Sequence, residues 1–313
     1  MEPSGTSENF CGSTEKCALA VGIFDALHLG HALVLREAIK FARERSAKAF
    51  ALTFYPHPAK VLQKKGEFCG LIYPPEIREK LLLGFGLDGV FFKKFDSAFA
   101  GESPEAFANF LREKFPNIAG IITGENFRFG AGAKADVNWL RQNARKFGFE
   151  ARYASGAISD GEYISSTRLR KALVSGDMRA FERLAGRAYF CAGQVSSGKR
   201  LGAELGFPTL NLLWSPECRP PFGAYASRLE NLKTGEVFGG VSNYGVNPTV
   251  GASSPILETN LFKTPSFGAG AEIRVELLEF LRPEKKFSGL DELKEAIAAD
   301  MLRAAEFFAR LKK

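Results

Sequence analysis

The chain has 313 residues, of which 45% are hydrophobic and 25% are charged, and its formal net charge is +7. This composition excludes a disordered chain, and the length favours two domains over a single hydrophobic core. The basic excess suits polyphosphate substrates, but no run of Lys and Arg interleaved with aromatic residues predicts a nucleic-acid surface.

The first half of the chain has the pattern of an α/β domain. From Ala18 to about Ala185, short apolar runs alternate with helix-length patterns, as βα repeats around a parallel sheet require. Apolar side chains in residues 35–42 recur at the spacing of one helix face, and Ser103 followed by Pro and Glu is typical of a helix start. These patterns predict a doubly wound fold. Its candidate strands are Ala18–Gly22, Ala49–Phe54, Gly89–Phe92 and Ile118–Thr123.

The second half of the chain has a different texture. After Gly186 it contains Gly, Pro and short β-rich runs, which predict a small antiparallel β-barrel. The candidate strands are Tyr225–Leu229, Gly239–Ser242, Ile256–Leu261 and Ile273–Leu278. An acidic start, an apolar face and a basic end predict a terminal helix over Leu290–Leu311. The change near Leu184–Arg187 divides the chain into predicted domains of residues 1–185 and 186–313.

The cysteines and the hydropathy indicate a cellular compartment. Five cysteines form an odd set without CxxC spacing, so the sequence predicts neither a disulfide framework nor a zinc site. The opening segment is polar and lacks the apolar region of a secretory signal, and no apolar stretch approaches the roughly 20 residues that cross a bilayer. We therefore expect a cytoplasmic protein that binds neither membrane nor nucleic acid.

One string of residues, Gly22–His31, combines a strand end, a tight turn and a helix start with two histidines. The backbone N–H groups and the dipole of a helix N-terminus favour phosphate, and Gly30 lets a phosphate approach the backbone. Since His28 and His31 are three residues apart, they can face one ligand and stabilise charge on an α-phosphate and a leaving pyrophosphate. Two histidines at this spacing are also found in metal sites.

The full string resembles the HxGH signature of nucleotidylyltransferases, and in the form GxFDGxHxGH it resembles the adenylyltransferase domain of bifunctional riboflavin kinase/FAD synthetases. Ala26 stands where that family usually has Gly. Three further strings follow in the family's order: Thr53–Pro58 resembles TFxPHP, Gly124–Gly130 resembles GxDFxFG, and Ile164–Arg170 resembles ISSTxxR.

The resemblance implies a Rossmann-like nucleotidylyltransferase fold and a set of site residues. The residues expected at ATP are Phe24, His28, His31, Asn126, Ser166, Thr167 and Arg170, with the two histidines and the arginine as catalytic groups. His57 is the candidate near FMN. Asn126 replaces the usual Asp, and an amide cannot act as a base or as a carboxylate ligand.

A glycine-rich string in the second half can be compared with two different motifs. Gly193–Lys199 fits the first seven positions of a Walker A loop, but Arg200 stands where the Mg²⁺-binding Ser or Thr must be and no helix pattern follows. The longer string Gly193–Asn211 resembles the riboflavin kinase pattern GxVxxGxxLGxxLGFPTAN, with Leu210 in place of Ala. The resemblance implies a loop over the ATP phosphates that includes Gly198 and Gly202, and it assigns Thr209 and Asn211 to Mg²⁺ and nucleotide.

The candidate base of the kinase reaction is Glu258. Leu257–Leu261 aligns with the family's E-x-H strand, whose Glu accepts the proton of the riboflavin 5′-hydroxyl. A single Glu on a strand is otherwise typical of a solvated surface, so this role depends on the resemblance. Asn260 replaces the expected His, and Lys263 falls where the family often has Asp.

The sequence therefore predicts an enzyme of flavin metabolism that uses ATP and Mg²⁺ to phosphorylate riboflavin to FMN and to adenylylate FMN to FAD. One alternative is a protein that retains only one of these activities, because of the changes at Asn126, Leu210, Asn260 and Lys263. Another is a flavin- or RNA-binding scaffold without catalysis, which the pairing of His28 and His31 with Arg170 disfavours.

Overall fold

The computed structural model describes residues 14–63, 68–196, 209–246 and 255–311. The chain divides by its internal contacts into two compact units, Met1–Leu169 and Arg170–Lys313. Gly198 and Gly202, assigned above to the loop over ATP, lie outside the described residues.

The first unit is built on a parallel sheet. Five strands run parallel in the order β3-β2-β1-β4-β7, and two short antiparallel pairs, β5-β6 and β8-β9, lie outside that sheet. The strands are β1 Cys17–Val21, β2 Lys48–Tyr55, β3 Gly89–Lys94, β4 Ile118–Gly124, β5 Arg128–Phe129, β6 Ala135–Asp136, β7 Glu150–Ala154, β8 Ile158–Ser159 and β9 Glu162–Tyr163. The four strands predicted for this unit are confirmed, and no strand end differs from its predicted position by more than two residues.

Helices cover both faces of this sheet. The helices within the described residues of the chain are α1 Leu29–Arg43, α2 Pro58–Val61, α3 Pro75–Gly84, α4 Ser97–Ala100, α5 Pro104–Lys114, α6 Val137–Asn143, α7 Ser166–Ser175, α8 Met178–Ala185 and α9 Leu290–Leu311, with 3₁₀ turns at Ala131–Ala133 and Ala144–Phe147. The predicted cap is confirmed, because the Ser103 hydroxyl accepts a hydrogen bond of 3.1 Å from the backbone N–H of Ala106.

The residues of the central strand explain why a helix lies on each face. Ala18 and Ala20 of β1 face the cluster that contains Phe41 of α1, and small side chains there let the helix approach the sheet. Leu19 faces the opposite cluster, which contains Leu111 of α5. A strand buried on both faces is typical of a parallel sheet in a doubly wound domain, so the predicted α/β fold is confirmed.

The second unit is built on an antiparallel sheet. Its strands are β10 Tyr189–Gln194, β11 Thr209–Leu213, β12 Gly223–Asn231, β13 Val237–Gly245, β14 Ile256–Leu261 and β15 Glu272–Pro283. They pair in the order β10-β15-β12-β13-β14-β11. The sheet curls into a half-barrel, and a hydrogen bond of 2.8 Å from the Ser196 N–H to the Asn211 carbonyl links the chain just after β10 to the opposite edge strand β11. The predicted small antiparallel barrel is confirmed in this form.

The terminal helix α9 packs on one face of this sheet. Ala304 and Phe307 lie in a buried cluster with Ala226 and Val241. The carboxylate of Asp300, 3% exposed, accepts hydrogen bonds from the Arg282 side chain at the end of β15. The terminal helix predicted over Leu290–Leu311 is confirmed.

Helix α8 packs on the antiparallel sheet. It contacts β10 and β15, and the Phe181 ring lies edge-on to Tyr189 with centroids 5.2 Å apart. The helix ends at Ala185 and is capped by Gly186, whose φ of +73° favours glycine. The contact division lies before α8, between Leu169 and Arg170, whereas the boundary between residues 185 and 186 stays a prediction.

This packing predicts that a C-terminal fragment needs α8. A fragment of residues 170–313 should be more stable to urea than one of residues 186–313, by at least about 2 kcal/mol, because the longer fragment buries Met178, Phe181 and Leu184.

In the longer fragment, Phe181→Ala should cost about 3–5 kcal/mol of unfolding free energy. Arg183→Ala, at an exposed position of the same helix, should change it by less than about 0.5 kcal/mol. Equal unfolding free energies for the two fragments would contradict the proposed support by α8.

Candidate functional site

The first candidate site lies at the carboxyl end of the parallel sheet. The strand order reverses between β1 and β4, since β2 lies on one side of β1 and β4 on the other. The loops that follow these two strands diverge at such a point and leave a crevice. A cavity of about 690 Å³ lies there, within the first unit, and seven of the residues that line it are phenylalanines. Its volume is that of a typical small-molecule site.

Three of the predicted residues meet at one side of this cavity. The His28 and His31 rings are stacked, with centroids 3.7 Å apart and an interplanar angle of 14°. The Phe24 ring lies edge-on to His31 at 5.2 Å. Phe24 and His31 line the cavity, and His28 is 6% exposed. The structure therefore brings the members of the HxGH string together.

His28 is also the N-cap of α1. Its Nδ1 accepts a hydrogen bond of 3.2 Å from the backbone N–H of His31. An acceptor Nδ1 carries no proton, so the neutral ring carries its proton on Nε2. The cap thus sets the tautomer of His28 and fixes its ring against His31.

Gly30 brings a second string to the same place. A Cβ added to Gly30 would lie 3.1 Å from His28 ring atoms and 3.6 Å from the Ile164 carbonyl oxygen. Ile164 also lines the cavity, and it precedes α7, where the Ser165 hydroxyl accepts a hydrogen bond from the Arg168 N–H at 3.4 Å. The start of α1 therefore lies beside the segment that leads into α7.

The predicted residues of α7 differ in exposure. Ser166 is half-buried and Thr167 is exposed in its first turn. The Arg170 side chain is 5% exposed and lies beyond Leu169, in the second unit. Its grouping with the histidines stays a prediction.

The wall that follows β4 carries Asn126 and a carboxylate. Asn126 and Glu125 both line the cavity, and the Glu125 Oε1 accepts a hydrogen bond of 2.9 Å from the Gly156 N–H. Glu125 was not predicted as a site residue. Its position next to Asn126 in the sequence was the available sign that it lies at the site.

His57 occupies a different position from the other histidines. Its Nδ1 accepts a hydrogen bond of 3.1 Å from the Ala59 N–H, which caps α2, and its ring stacks on Phe68 with centroids 4.2 Å apart. The next residue, Pro58, lines the cavity. The assignment of His57 to flavin stays a prediction.

A buried arginine supports the turn that carries Phe24. Arg78 of α3 is 0% exposed, and its Nη2 donates hydrogen bonds to the Ile23 carbonyl at 2.6 Å and to the Thr53 hydroxyl at 2.5 Å. Burial lowers the pKa of the Arg78 guanidinium to about 10, and the charge of Asp25 opposes that shift. The sequence analysis missed Arg78, although a basic residue within the apolar pattern of α3 was an available sign.

The turn needs such support because its backbone is strained. Phe24 and Leu27 have φ values of +48° and +44°, in the left-handed region that most side chains avoid. The Asp25 carboxylate accepts a hydrogen bond of 3.1 Å from the Ile72 N–H. The positively charged Arg78 thus binds the turn at Ile23, and the negatively charged Asp25 anchors it to Ile72.

The second candidate site lies on one face of the antiparallel sheet. Thr209 pairs directly with Asn260, and Asn211 pairs directly with Glu258. Directly opposed residues project to the same face, as do residues two apart in a strand. The structure therefore brings Thr209, Asn211 and Glu258 together. Leu210 projects to the opposite, buried face, so its side chain does not replace or crowd the polar groups of this face.

The side chains of this face are oxygen donors suited to a hard cation. The Oδ1 atoms of Asn211 and Asn260 are buried, and neither has a hydrogen-bond partner in the part of the chain that the structure describes. A hydroxyl, amide oxygens and a carboxylate are ligands that Mg²⁺ accepts. Among the described residues no three His, Cys, Asp or Glu side chains form a metal-binding group. Thr209 and Asn211 therefore fit a cation that is held jointly with phosphate oxygens.

Comparisons with known proteins cover both units. A family model described as FAD synthetase matches residues 12–168, and one described as riboflavin kinase matches residues 185–308. Bifunctional riboflavin kinase/FMN adenylyltransferase of Haemophilus influenzae is 34% identical over 93% of this chain and 94% of its own. The proteins of that name from Escherichia coli K12 and Bacillus subtilis are 34% and 33% identical, each over 95% of this chain and over 95% and 94% of their own lengths.

A solved structure has a similar fold over most of its length. It is described as a macrolide-efflux protein from Streptococcus pneumoniae, and it is 26% identical with a TM-score of 0.80 over 93% of this chain and 94% of that chain. In the present chain, none of the helices within the described ranges is both long enough and apolar enough to cross a membrane.

The support of the turn by Arg78 predicts a large loss of stability on its removal. Arg78→Met should lower the free energy of unfolding by about 3–5 kcal/mol, because it removes the charged donor of two buried hydrogen bonds, to the Ile23 carbonyl and the Thr53 hydroxyl. Urea unfolding followed by circular dichroism measures this change. Lys80→Met, at an exposed position of the same helix, is the matched control and should change it by less than about 0.5 kcal/mol. A similar result for both variants would contradict the role of Arg78.

Proposed function

The chain belongs to the bifunctional riboflavin kinase/FMN adenylyltransferase family, and we propose that its first unit transfers the adenylyl group and its second unit phosphorylates riboflavin. The enzyme converts riboflavin and ATP to FMN and ADP, and FMN and ATP to FAD and pyrophosphate. One observation supports the assignment of the two reactions most directly: Phe24, His28 and His31 lie together in the first unit, and Thr209, Asn211 and Glu258 share one face of the sheet in the second. The unit boundary near residue 185 is part of this proposal.

In the adenylyl transfer, an oxygen of the FMN phosphate attacks the α-phosphorus of ATP. The bond from that phosphorus to its bridging oxygen breaks, and pyrophosphate leaves. The protein supplies no nucleophile, so its contribution is position and charge stabilisation. The N-terminus of α1 beside the segment entering α7 favours phosphate binding.

His28 and His31 donate to the phosphate oxygens as negative charge moves to the leaving group. The cap bond to Nδ1 leaves the Nε2–H of His28 as its donor. Gly30 has no Cβ between His28 and the Ile164 carbonyl, so the backbone at this point stays open to a phosphate. Ser166, Thr167 and Arg170 complete the ATP site in this proposal.

The cavity provides for the planar rings of the two substrates. Its phenylalanine side chains can stack on a flavin or an adenine. Phe24 lines the cavity beside His31, and Asn126 offers hydrogen bonds to nucleotide. His57 lies near FMN in this proposal, because the next residue, Pro58, lines the cavity.

In the kinase reaction, the riboflavin 5′-hydroxyl oxygen attacks the γ-phosphorus of ATP, and the bond to ADP breaks. Glu258 accepts the hydroxyl proton. Thr209 and Asn211 would hold Mg²⁺, and the bound ion would supply positive charge that neutralises the phosphates. Gly198 and Gly202 belong to the loop over the phosphates in this proposal. The pairing of Asn211 with Glu258 across β11 and β14 supports the joint position of base and metal ligands.

The double use of His28 as cap and donor predicts a variant that separates folding from catalysis. His28→Asn keeps a good N-cap side chain but removes the imidazole. Conversion of FMN to FAD should fall about 10²–10³-fold, while the unfolding midpoint and the phosphorylation of riboflavin stay at their wild-type values. Chromatographic separation of riboflavin, FMN and FAD measures both reactions.

His28→Ala is the matched comparison, since it removes both cap and imidazole. It should lose the same activity and, in addition, about 1 kcal/mol of stability. Full FAD formation by His28→Asn would show that the imidazole has no part in adenylyl transfer.

The kinase site predicts two variants with different kinetic effects. Glu258→Gln should lower kcat for FMN formation about 10²–10⁴-fold with little change in KM for ATP, because it removes a base and keeps the shape. Thr209→Ala should instead raise KM for Mg·ATP. Conversion of supplied FMN to FAD is the internal control and should stay unchanged in both. Wild-type FMN formation by Glu258→Gln would place the base elsewhere.

A further inference from the structure

Asn260 has a buried polar atom that its surroundings do not satisfy. The residue is 8% exposed, and its Oδ1 has no hydrogen-bond partner in the described parts of the chain. Buried side-chain oxygens in folded proteins are nearly always paired, and an unpaired one costs stability. The Asn260 oxygen therefore calls for a ligand that the described residues do not supply.

The strands on both sides of Asn260 identify the direction of that ligand. Asn260 lies directly opposite Thr209 of β11 and directly opposite Val241 of β13. Val241 is apolar. Phe262, which directly follows β14 and lies two residues after Asn260, packs against Phe308 of α9 with ring centroids 5.7 Å apart. Neither of these apolar neighbours can donate a hydrogen bond, so the polar side of Asn260 is the side of β11.

A second unpartnered oxygen lies on that side. Asn211 is on the same face as Thr209, and its Oδ1 is likewise buried and unpartnered within the described residues. Two amide oxygens and one hydroxyl thus belong to adjacent positions of a single strand pair, with the carboxylate of Glu258 next to them. A hydrogen-bond donor satisfies one or two such atoms, whereas a hard divalent cation accepts several oxygens at once.

We propose that Asn260 is a third protein ligand of the divalent cation at the kinase site, beside Thr209 and Asn211. This rests on the kinase site proposed above. The family has a histidine at this position, which offers a nitrogen, whereas the amide of Asn260 offers an oxygen. Oxygen ligands suit Mg²⁺ and Mn²⁺, and an imidazole suits softer metals such as Zn²⁺.

The test measures cation binding by the full chain. Mn²⁺ is titrated into the protein with ADP present, and free Mn²⁺ is followed by electron paramagnetic resonance. Asn260→Ala should weaken one class of Mn²⁺ site at least tenfold, and Asn260→Asp, which restores an oxygen, should recover the affinity. The Mg²⁺ concentration for half-maximal FMN formation should rise in Asn260→Ala and return toward the wild-type value in Asn260→Asp. The Mg²⁺ requirement of FAD formation should stay unchanged in both variants.

Thr259→Val is the matched control. Thr259 is the neighbour of Asn260 in β14, and its hydroxyl lies 2.8 Å from that of Ser242 on the opposite face. This variant disturbs the strand without touching the polar face, so its Mn²⁺ affinity should equal that of the wild type. Circular dichroism confirms that each variant is folded.

Two results would overturn the proposal. Unchanged Mn²⁺ affinity in Asn260→Ala together with a raised KM for riboflavin would assign Asn260 to the flavin. An equal loss of affinity in Thr259→Val would assign the effect to the strand. Absence of FMN formation by the wild type would instead defeat the proposed kinase function, and the Mn²⁺ titration would still decide on Asn260.

Discussion

Burial of the parallel sheet on both faces is the constraint that places the first site. Because α1 and α5 cover the two faces, a ligand can reach the central strands only at their ends. The carboxyl ends of β1 and β4 diverge there, and the cavity lies at that point. The antiparallel sheet follows a different rule. Helix α9 covers only part of one face, so polar side chains of β11 and β14 can occupy the face itself rather than an end.

The turn after β1 lies beyond the hydrogen bonds between strands, so other groups must stabilise it. Arg78 and Asp25 do so for the strained backbone at Phe24 and Leu27. A charged group is well suited to this task because its fixed donors bind two acceptors, Ile23 and Thr53, at once. On the second sheet, the strand register positions the site residues, since it sets Thr209 directly opposite Asn260.

The sequence predicted what depends on neighbouring residues and missed what depends on distant ones. The strand before His28, the cap at Ser103 and the terminal helix follow from local patterns, and the structure confirms them. Strand β7 was missed because its residues are only partly buried and its pattern is weak. The register of β11 on β14 and the side on which α8 packs depend on pairings across the chain, which no local pattern specifies.

The kind of ligand at the kinase site has a consequence for catalysis. Thr209, Asn211 and Asn260 are neutral, so in the roles proposed here they hold a cation without cancelling its charge. A carboxylate in their place would bind the cation more tightly, but its negative charge would offset part of the positive charge that acts on the phosphates. Since the acceleration of phosphoryl transfer depends on positive charge at the transferring group, a neutral set leaves that charge where the reaction uses it. Glu258 is not among these proposed metal ligands, and so it keeps its proposed role as the base.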